Sequence, residues 1–305
     1  MTPDTDLQKF RWGELGRFTH LFNQVNGISD SEKAFDVEFM GEFLSQPSCR
    51  PEENCYLAIS QGDLVGFVLI APERPISRAV GSGGVLDSHR GQGIGRKLLR
   101  TAIEHAESLE ATVLHIAALS EGTHAQLLLE SEGFLPIKSY WQLSRRGGEA
   151  SGGELPEGFS LRSFELDRDE EGLTRLQNAA FGRSWGFCPN TVEEIWARVR
   201  LKRCDPEGII LVTNGNLLAG YNWTLRASSE AGSVGWIAMT GVHPDYRSRG
   251  LGRAVVGAGI EYLRAKKVDA IELEVDADNR LATELYLKLG FSRVGQTVWY
   301  EKSLA

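Results

Sequence analysis

Apolar and polar positions along this chain come in blocks whose period switches between helical and strand-like. Residues 15–25 and 35–44 repeat apolar side chains at helical spacing, and a break carrying Pro47, Pro51 and two glutamates follows. Residues 56–59, the turn Gln61-Gly62-Asp63 and residues 64–70 then read as a β-hairpin. The succession returns in the second half. Residues 159–164 read as a strand, and Leu173, Leu176, Ala179 and Ala180 share one helical face. Thr191 with Glu194 three residues on has the pattern of a capping box. A strand at 208–212, the turn Asn214-Gly215-Asn216 and residues 217–223 make a second hairpin.

Each hairpin is followed by a strand, a glycine-rich loop and a helix. In the second half the strand is 236–242, closed by His243-Pro244. The loop is Arg247-Ser248-Arg249-Gly250-Leu251-Gly252-Arg253, and Leu251, Ala254, Val255, Ala258, Ile260, Tyr262 and Leu263 carry the helical pattern. In the first half the strand, 79–85 ending in Val85, is weakened by glycines. Its loop is Arg90-Gly91-Gln92-Gly93-Ile94-Gly95-Arg96. Both copies reach a Gly-Phe pair 40 residues later, Gly133 and Gly290, and they are offset by 157 positions. The chain is therefore a tandem duplication. A helix start leaves about four N–H groups unpaired and carries roughly half a positive charge, so glycines there let a pyrophosphate approach closely. Arg247, Arg249 and Arg253 add countercharge. Taken alone, the loop also fits a tight turn on a solvated basic face.

The second loop, together with Asp278-Asn279-x-x-Ala282-x-x-Leu285-Tyr286-x-x-Leu289-Gly290-Phe291, resembles the acetyl-CoA-binding core of the GCN5-related N-acetyltransferase (GNAT) family. Two such domains in one chain, the fuller motif second, resemble the mycothiol synthases within it. The resemblance implies an α/β (α+β) chain of two tandem domains, each a mixed, mostly antiparallel sheet flanked by helices and splayed at the acetyl-CoA site. Residues 1–144 and 158–305 are the expected domains, joined by the glycine-rich, aperiodic segment 145–157. It also implies that Thr240, Gly241, Val242, the loop from Arg247 to Arg253 and Asn279 hold acetyl-CoA. Val85 and the loop from Arg90 to Arg96 would do the same in the first copy.

A backbone N–H from the strand end 239–242 is expected to polarise the thioester oxygen, and Tyr286 to protonate the departing thiolate. Tyr286 also reads as a core tyrosine on an apolar helix face. The 157-residue offset sets Gly122 against Asn279 and Leu129 against Tyr286, so the first domain is expected to be non-catalytic. In 271–276, Ile271, Leu273 and Val275 alternate with Glu272, Glu274 and Asp276, which puts three carboxylates on one face. Glu274 is the candidate general base; a solvated strand face explains the same pattern. Trp236 stands where mycothiol synthases carry a carboxylate, and Glu274 where they carry a substrate-holding tyrosine. Trp236 and Trp185, the latter in an aromatic loop that reads equally as a core plug, are the candidate substrate contacts.

The chain has 305 residues, 42% hydrophobic and 24% charged, with a net charge of −8. That suits a cytoplasmic protein with two cores and tolerates a cationic amine, and it disfavours a nucleic-acid surface. No apolar run reaches the ~20 residues that span a bilayer. Cys49, Cys55, Cys188 and Cys204 have no metal-ligand spacing and read as reduced, mostly buried thiols. The expected partner is a small-molecule or peptide amine, with the chain a monomer or homodimer. A non-catalytic acyl-CoA-binding module is the competing reading.

Overall fold

The computed structural model describes residues 5–148 and 152–304, and it divides into two compact units. The first is built from residues 5–139 and 296–304. Its elements are β1 (Thr5–Lys9), α1 (Leu15–Val25), α2 (Val37–Leu44), α3 (Pro51–Asn54), β2 (Cys55–Ser60), β3 (Asp63–Glu73), β4 (Arg78–Val85), α4 (Ile94–Ser108), β5 (Val113–Leu119) and α5 (Thr123–Ser131). Then β6 (Leu135–Arg145) leads into the second unit, residues 140–295. There follow β7 (Ser160–Ser163), α6 (Glu170–Phe181), α7 (Val192–Arg198), β8 (Ile209–Asn214), β9 (Leu217–Ser229), β10 (Gly232–Val242), α8 (Leu251–Ala265), β11 (Ala270–Asp276) and α9 (Arg280–Lys288). Finally β12 (Ser292–Ser303) returns to the first.

In the first unit β1 to β5 lie in sequence order, antiparallel except for the parallel β4–β5 pair. The strand beyond β5 comes from the far end of the chain: Thr297–Ser303 run antiparallel to Leu119–Val113. One face buries Leu98, Leu99 and Ala102 of α4 with Val68, Leu114 and Tyr300. The other buries Phe18 and Leu21 of α1 and Met40 and Leu44 of α2 against Leu57, Phe67 and Leu69.

The second unit repeats the plan. β7 to β11 are antiparallel except for the parallel β10–β11 pair, and residues 140–145 of β6 pair with 271–276 on the outer side of β11. α8 and α9 cover one face through Val256, Ile260, Leu263, Tyr286 and Leu289. α6 and α7 cover the other through Leu173, Leu176 and Ile195, with Val199 just beyond α7. Thr191 closes α7 with the expected capping box.

The compact units thus divide the chain differently from segments 1–144 and 158–305, because each takes its sixth described strand from beyond its own half. Of the expected linker, residues 149–151 lie outside the described residues. The remainder is not a free tether: Gly152 lies so close to Gly257 of α8 that a Cβ on Gly257 would stand 2.4 Å from the Gly152 Cα. Leu155 and Phe159 pack with Val255 and Leu251. The 157-residue offset holds in three dimensions: α4 and α8 are both 15 residues long, and β5 matches β11 and α5 matches α9 end for end.

Candidate functional site

Strand β10 opens the site. It keeps its ladder to β9 as far as Val242↔Gly220, but its parallel ladder to β11 stops at Trp236↔Glu272. At Ala238 the register with β9 slips by one residue. Such a bulge bends the strand, and the two strands part beyond it. The His243 N–H donates to the Ala219 carbonyl at 2.9 Å. By the alternation of an extended strand, the N–H groups of Gly241 and Met239 also face β9, and those of Thr240 and Val242 face the gap. The first unit lacks the bulge, although β4 and β5 also part before the end of β4. β4 pairs with β5 one residue further, to Gly81↔Ile116, and with β3 without a slip.

The loop ahead of α8 follows the same path as its counterpart. Gly250 sits at φ 82°, ψ −7° and Gly93 at φ 82°, ψ −5°; Arg247 and Arg90 are both extended. Ser248, at φ 61°, holds a left-handed conformation where the first copy uses Gly91. No side chain among the described residues caps α8, so the N–H groups of Leu251 and Gly252 point out along the helix axis. A Cβ on Gly250 would meet nothing within 4 Å, and one on Gly252 only Leu285, at 3.9 Å. That open cradle of N–H donors fits a pyrophosphate.

The arginines divide their labour differently from the expected shared countercharge. Arg247 turns back, its Nε donating to Val242 O at 3.3 Å and its Nη2 to Ala180 O at 2.6 Å, so it ties the loop to β10 and α6. Arg249 lies over the Tyr246 ring, 5.5 Å from its centroid. In the first unit Arg90 pairs with Asp87 at 2.6 Å and Arg96 with Glu132 at 2.8 Å. Gln92 Nε2 donates to the Ser88 carbonyl at 3.5 Å.

α9 brings the remaining motif residues. Asn279 is its N-cap, the side-chain oxygen accepting from Ala282 N at 3.1 Å, while the equivalent Gly122 offers no cap. Tyr286 is buried, edge-on to Phe291 with ring centroids 5.8 Å apart. Burial pushes its phenol above the ordinary value, and the influence of Thr240 draws it partly back. Asn222, opposite Thr240 on β9, donates from Nδ2 to Thr240 Oγ1 at 2.7 Å.

The other face of β11 carries the acidic residues as expected: Ile271, Leu273 and Val275 are buried, Glu274 is exposed, and Glu272 and Asp276 are half-buried. Gln142 Nε2 donates to Glu274 Oε1 at 3.3 Å. Trp236 lies beside Glu272 in register. The Arg203 guanidinium stands 5.9 Å from its ring. Trp185 comes within 6.5 Å of Tyr140, and Phe187 of the same loop stacks on Phe181. His243 accepts from Asp245 N as a turn residue. Cys55 is buried and the other thiols half-buried; burial pushes the Cys204 thiol up to about 12. Among the described residues no cluster suits a metal ion, and no helix is long and apolar enough to cross a membrane.

Residues 17–134 and 171–291 match the sequence pattern of the Acetyltransferase (GNAT) family. The chain belongs to that family. Two GNAT regions therefore account for both copies of the loop, and the chemistry is that of an acetyl-CoA-dependent N-acetyltransferase. Among its relatives, the mycothiol acetyltransferase of Stackebrandtia nassauensis is 33% identical over 267 residues, 86% of this chain and 87% of the relative. That of Pseudarthrobacter chlorophenolicus is 33% identical over 258 residues, covering 82% and 77%. The fold is shared with a tandem GNAT protein from the clavulanic acid biosynthesis pathway, with a TM-score of 0.78, 18% identity and 99% of each chain covered. A GCN5-related N-acetyltransferase from Sphaerobacter thermophilus has a TM-score of 0.77 and 22% identity, covering 100% of this chain and 97% of that one.

Sequence reasoning singled out the two loops, Asn279 and Tyr286 as site candidates. It missed Asn222, a buried amide in the otherwise apolar stretch from Ala219 to Trp223. A polar residue facing the core of a strand was the available signal.

Proposed function

We propose that acetyl transfer takes place in the second unit, to a primary amine of a small molecule. The observation that carries this reading is the asymmetry between two otherwise matching copies. Only the second combines the bulge at Ala238, the Asn279 cap and the Tyr286 hydroxyl. Acetyl-CoA, bound through the N–H groups of Leu251 and Gly252, would supply the activated acyl group. The N–H groups of Thr240 and Val242 would hold the carbonyl oxygen as it gains charge, a contribution of about 10²–10³ in rate per donor. Tyr286 Oη would give its proton to the departing sulfur. The acceptor would enter over Trp236 and Trp185, with Glu274 at the exposed end to take the amine proton directly or through water. The first unit would be non-catalytic, since Gly122 and Leu129 stand at the two key positions.

The relatives named mycothiol acetyltransferase make mycothiol lacking its acetyl group the first acceptor to try. The test is thiol release from acetyl-CoA with that amine, aminosugars, polyamines and peptide N-termini, comparing wild type with Tyr286→Phe. Turnover with one amine class, cut at least about a hundredfold in the variant, supports the reading. Tight acetyl-CoA binding with no turnover, or turnover untouched by the substitution, removes it.

A further inference from the structure

An asparagine clamp recurs in the two units, and the reaction scheme above does not use it. On α6, Asn178 Oδ1 accepts from the Asn190 N–H at 2.9 Å, and its Nδ2 donates to the Asn190 carbonyl at 3.0 Å. On α1, Asn23 Oδ1 accepts from the Phe35 N–H at 2.9 Å, and its Nδ2 donates to the Phe35 carbonyl at 2.8 Å. Each asparagine reaches the backbone 12 residues on. Each held residue directly precedes the N-cap of the next helix, Thr191 of α7 or Asp36 of α2. A side-chain amide carries both an acceptor and a donor, so it meets both backbone groups of one residue as a neighbouring strand would. The intervening segments, 179–189 and 24–34, are thereby closed into loops whose ends are held together.

The two closed loops carry different chemistry. In the first unit the clamped residue is apolar: Phe35 packs against Phe22 and Phe39, with ring centroids 5.0 and 4.7 Å away. The segment it closes is polar, with Ser29-Asp30-Ser31 near its middle. In the second unit the clamped residue is polar. Asn190 Nδ2 donates to Oε1 of the buried Gln177 at 3.1 Å, and Asn190 Oδ1 accepts from Arg198 Nη1 at 2.7 Å. The rings lie inside the segment instead.

Those rings reach the site from two sides. Phe187 stacks on Phe181, and Phe181 backs the strand end, where a Cβ on Gly241 would stand 3.0 Å from its Cε2. Trp185 comes within 6.5 Å of Tyr140, whose register partner on β11 is Asp276. Directly opposed residues of an antiparallel pair share a face, so Tyr140 stands on the face of β11 that carries the three carboxylates. The clamped loop therefore runs from the opened end of β10 to that acidic face.

We infer that Asn178 is a positioning residue for the acceptor: by clamping Asn190 it holds Trp185 in place as a preformed wall of the acceptor site. A wall that is already ordered spares the amine the cost of ordering it on binding, so the effect is read in KM for the amine and not in kcat. The inference rests on the proposed role of Trp185, and the experiment separates the two. Asn178→Ala, Asn23→Ala and Trp185→Ala are compared with wild type in acetyl-CoA thiol release with the accepted amine. The 19F resonance of Trp185 in 5-fluorotryptophan-labelled protein, assigned by its loss in Trp185→Phe, gives a reading that needs no acceptor.

Asn178→Ala raises KM for the amine about tenfold, keeps kcat within about threefold and leaves KM for acetyl-CoA unchanged. Its Trp185 resonance shifts or broadens. Asn23→Ala removes the same two hydrogen bonds from the first unit and leaves both the kinetics and the resonance as in wild type. Equal kinetic losses in the two asparagine variants, or an unmoved resonance in Asn178→Ala, overturns the inference. So does an unchanged KM for the amine in Asn178→Ala where Trp185→Ala raises it. An unchanged KM in Trp185→Ala as well overturns the role of Trp185 along with the inference. Hydrogen exchange on the wild-type protein keeps the test open should Asn178→Ala fail to fold. The Asn190 amide is protected there as the Phe35 amide is, and exchange as fast as an exposed loop amide removes the clamp.

Discussion

Arg247 donates from its Nη2 to the carbonyl oxygen of Ala180, 2.6 Å away, and so binds the loop before α8 to the last turn of α6. One of the three arginines that the sequence offered as countercharge thus braces the loop that carries the N–H donors. Its planar fork reaches two carbonyls at once, which a lysine ammonium on a flexible stem does not reproduce. Arg247→Lys is expected to raise KM for acetyl-CoA about tenfold with little change in kcat. The defect should persist in high salt, where a pure countercharge effect would be screened. Steady-state kinetics at low and high ionic strength check this; a lysine variant indistinguishable from wild type would return Arg247 to the countercharge role.

Gly250 and Gly252 separate folding from binding. At φ 82° Gly250 is in the left-handed region, where an alanine costs ~1–2 kcal/mol, so Gly250→Ala should lower Tm as well as affinity. Gly252 is helical with room for a methyl group. Gly252→Ala should leave Tm unchanged or slightly raised and still weaken acetyl-CoA binding about tenfold, because the methyl group occupies the space a phosphate would take. Calorimetric titration beside a thermal melt reads both.

The pH dependence follows from Tyr286. The protonated phenol is the active form, and burial raises its pKa above the ordinary value of 10.0. The proton is therefore held throughout the neutral range, and activity is lost only as pH rises through the elevated value. kcat should be flat with respect to this group to about pH 10 and fall beyond it, and Tyr286→Phe should be low and lack that limb. A limb near neutrality that vanishes in Tyr286→Phe would contradict the burial of the group.

Tyr300 is 3% exposed and lies in the core of the first unit, on the strand supplied from the far end of the chain. Tyr300→Ala should cost about 3–5 kcal/mol, as large aromatic truncations do. Limited proteolysis should then cut within residues 5–139 before 140–295. Equal loss of protection in both segments would mean that the units do not unfold separately.

Much of this architecture was legible in the sequence because it is local. The helical and alternating periods, the hairpin turns and the glycines at a helix start each report on neighbours a few residues away. The 157-residue offset carried the reading from one copy to the other. The strands at 140–145 and 297–303 were not legible as exchanged elements, since their partners are set by pairing with residues more than a hundred positions distant. The bulge at Ala238 leaves no glycine or proline as a marker. Arg247 and Asn222 show the same limit at the site: residue type declared a charge and an amide, but their partners, Ala180 and Thr240, are chosen by tertiary packing.

The strand from 296–304 also orders events in time. At ordinary synthesis rates of about 5–20 residues per second, it leaves the ribosome roughly 8–30 s after residue 139. Throughout that interval β5 has no partner on its outer side within the first unit, and an unpaired strand edge invites pairing with other chains. The half of the protein made first is thus the half completed last, and a nascent chain that has emerged only as far as residue 295 would carry a finished second unit and an open-edged first one.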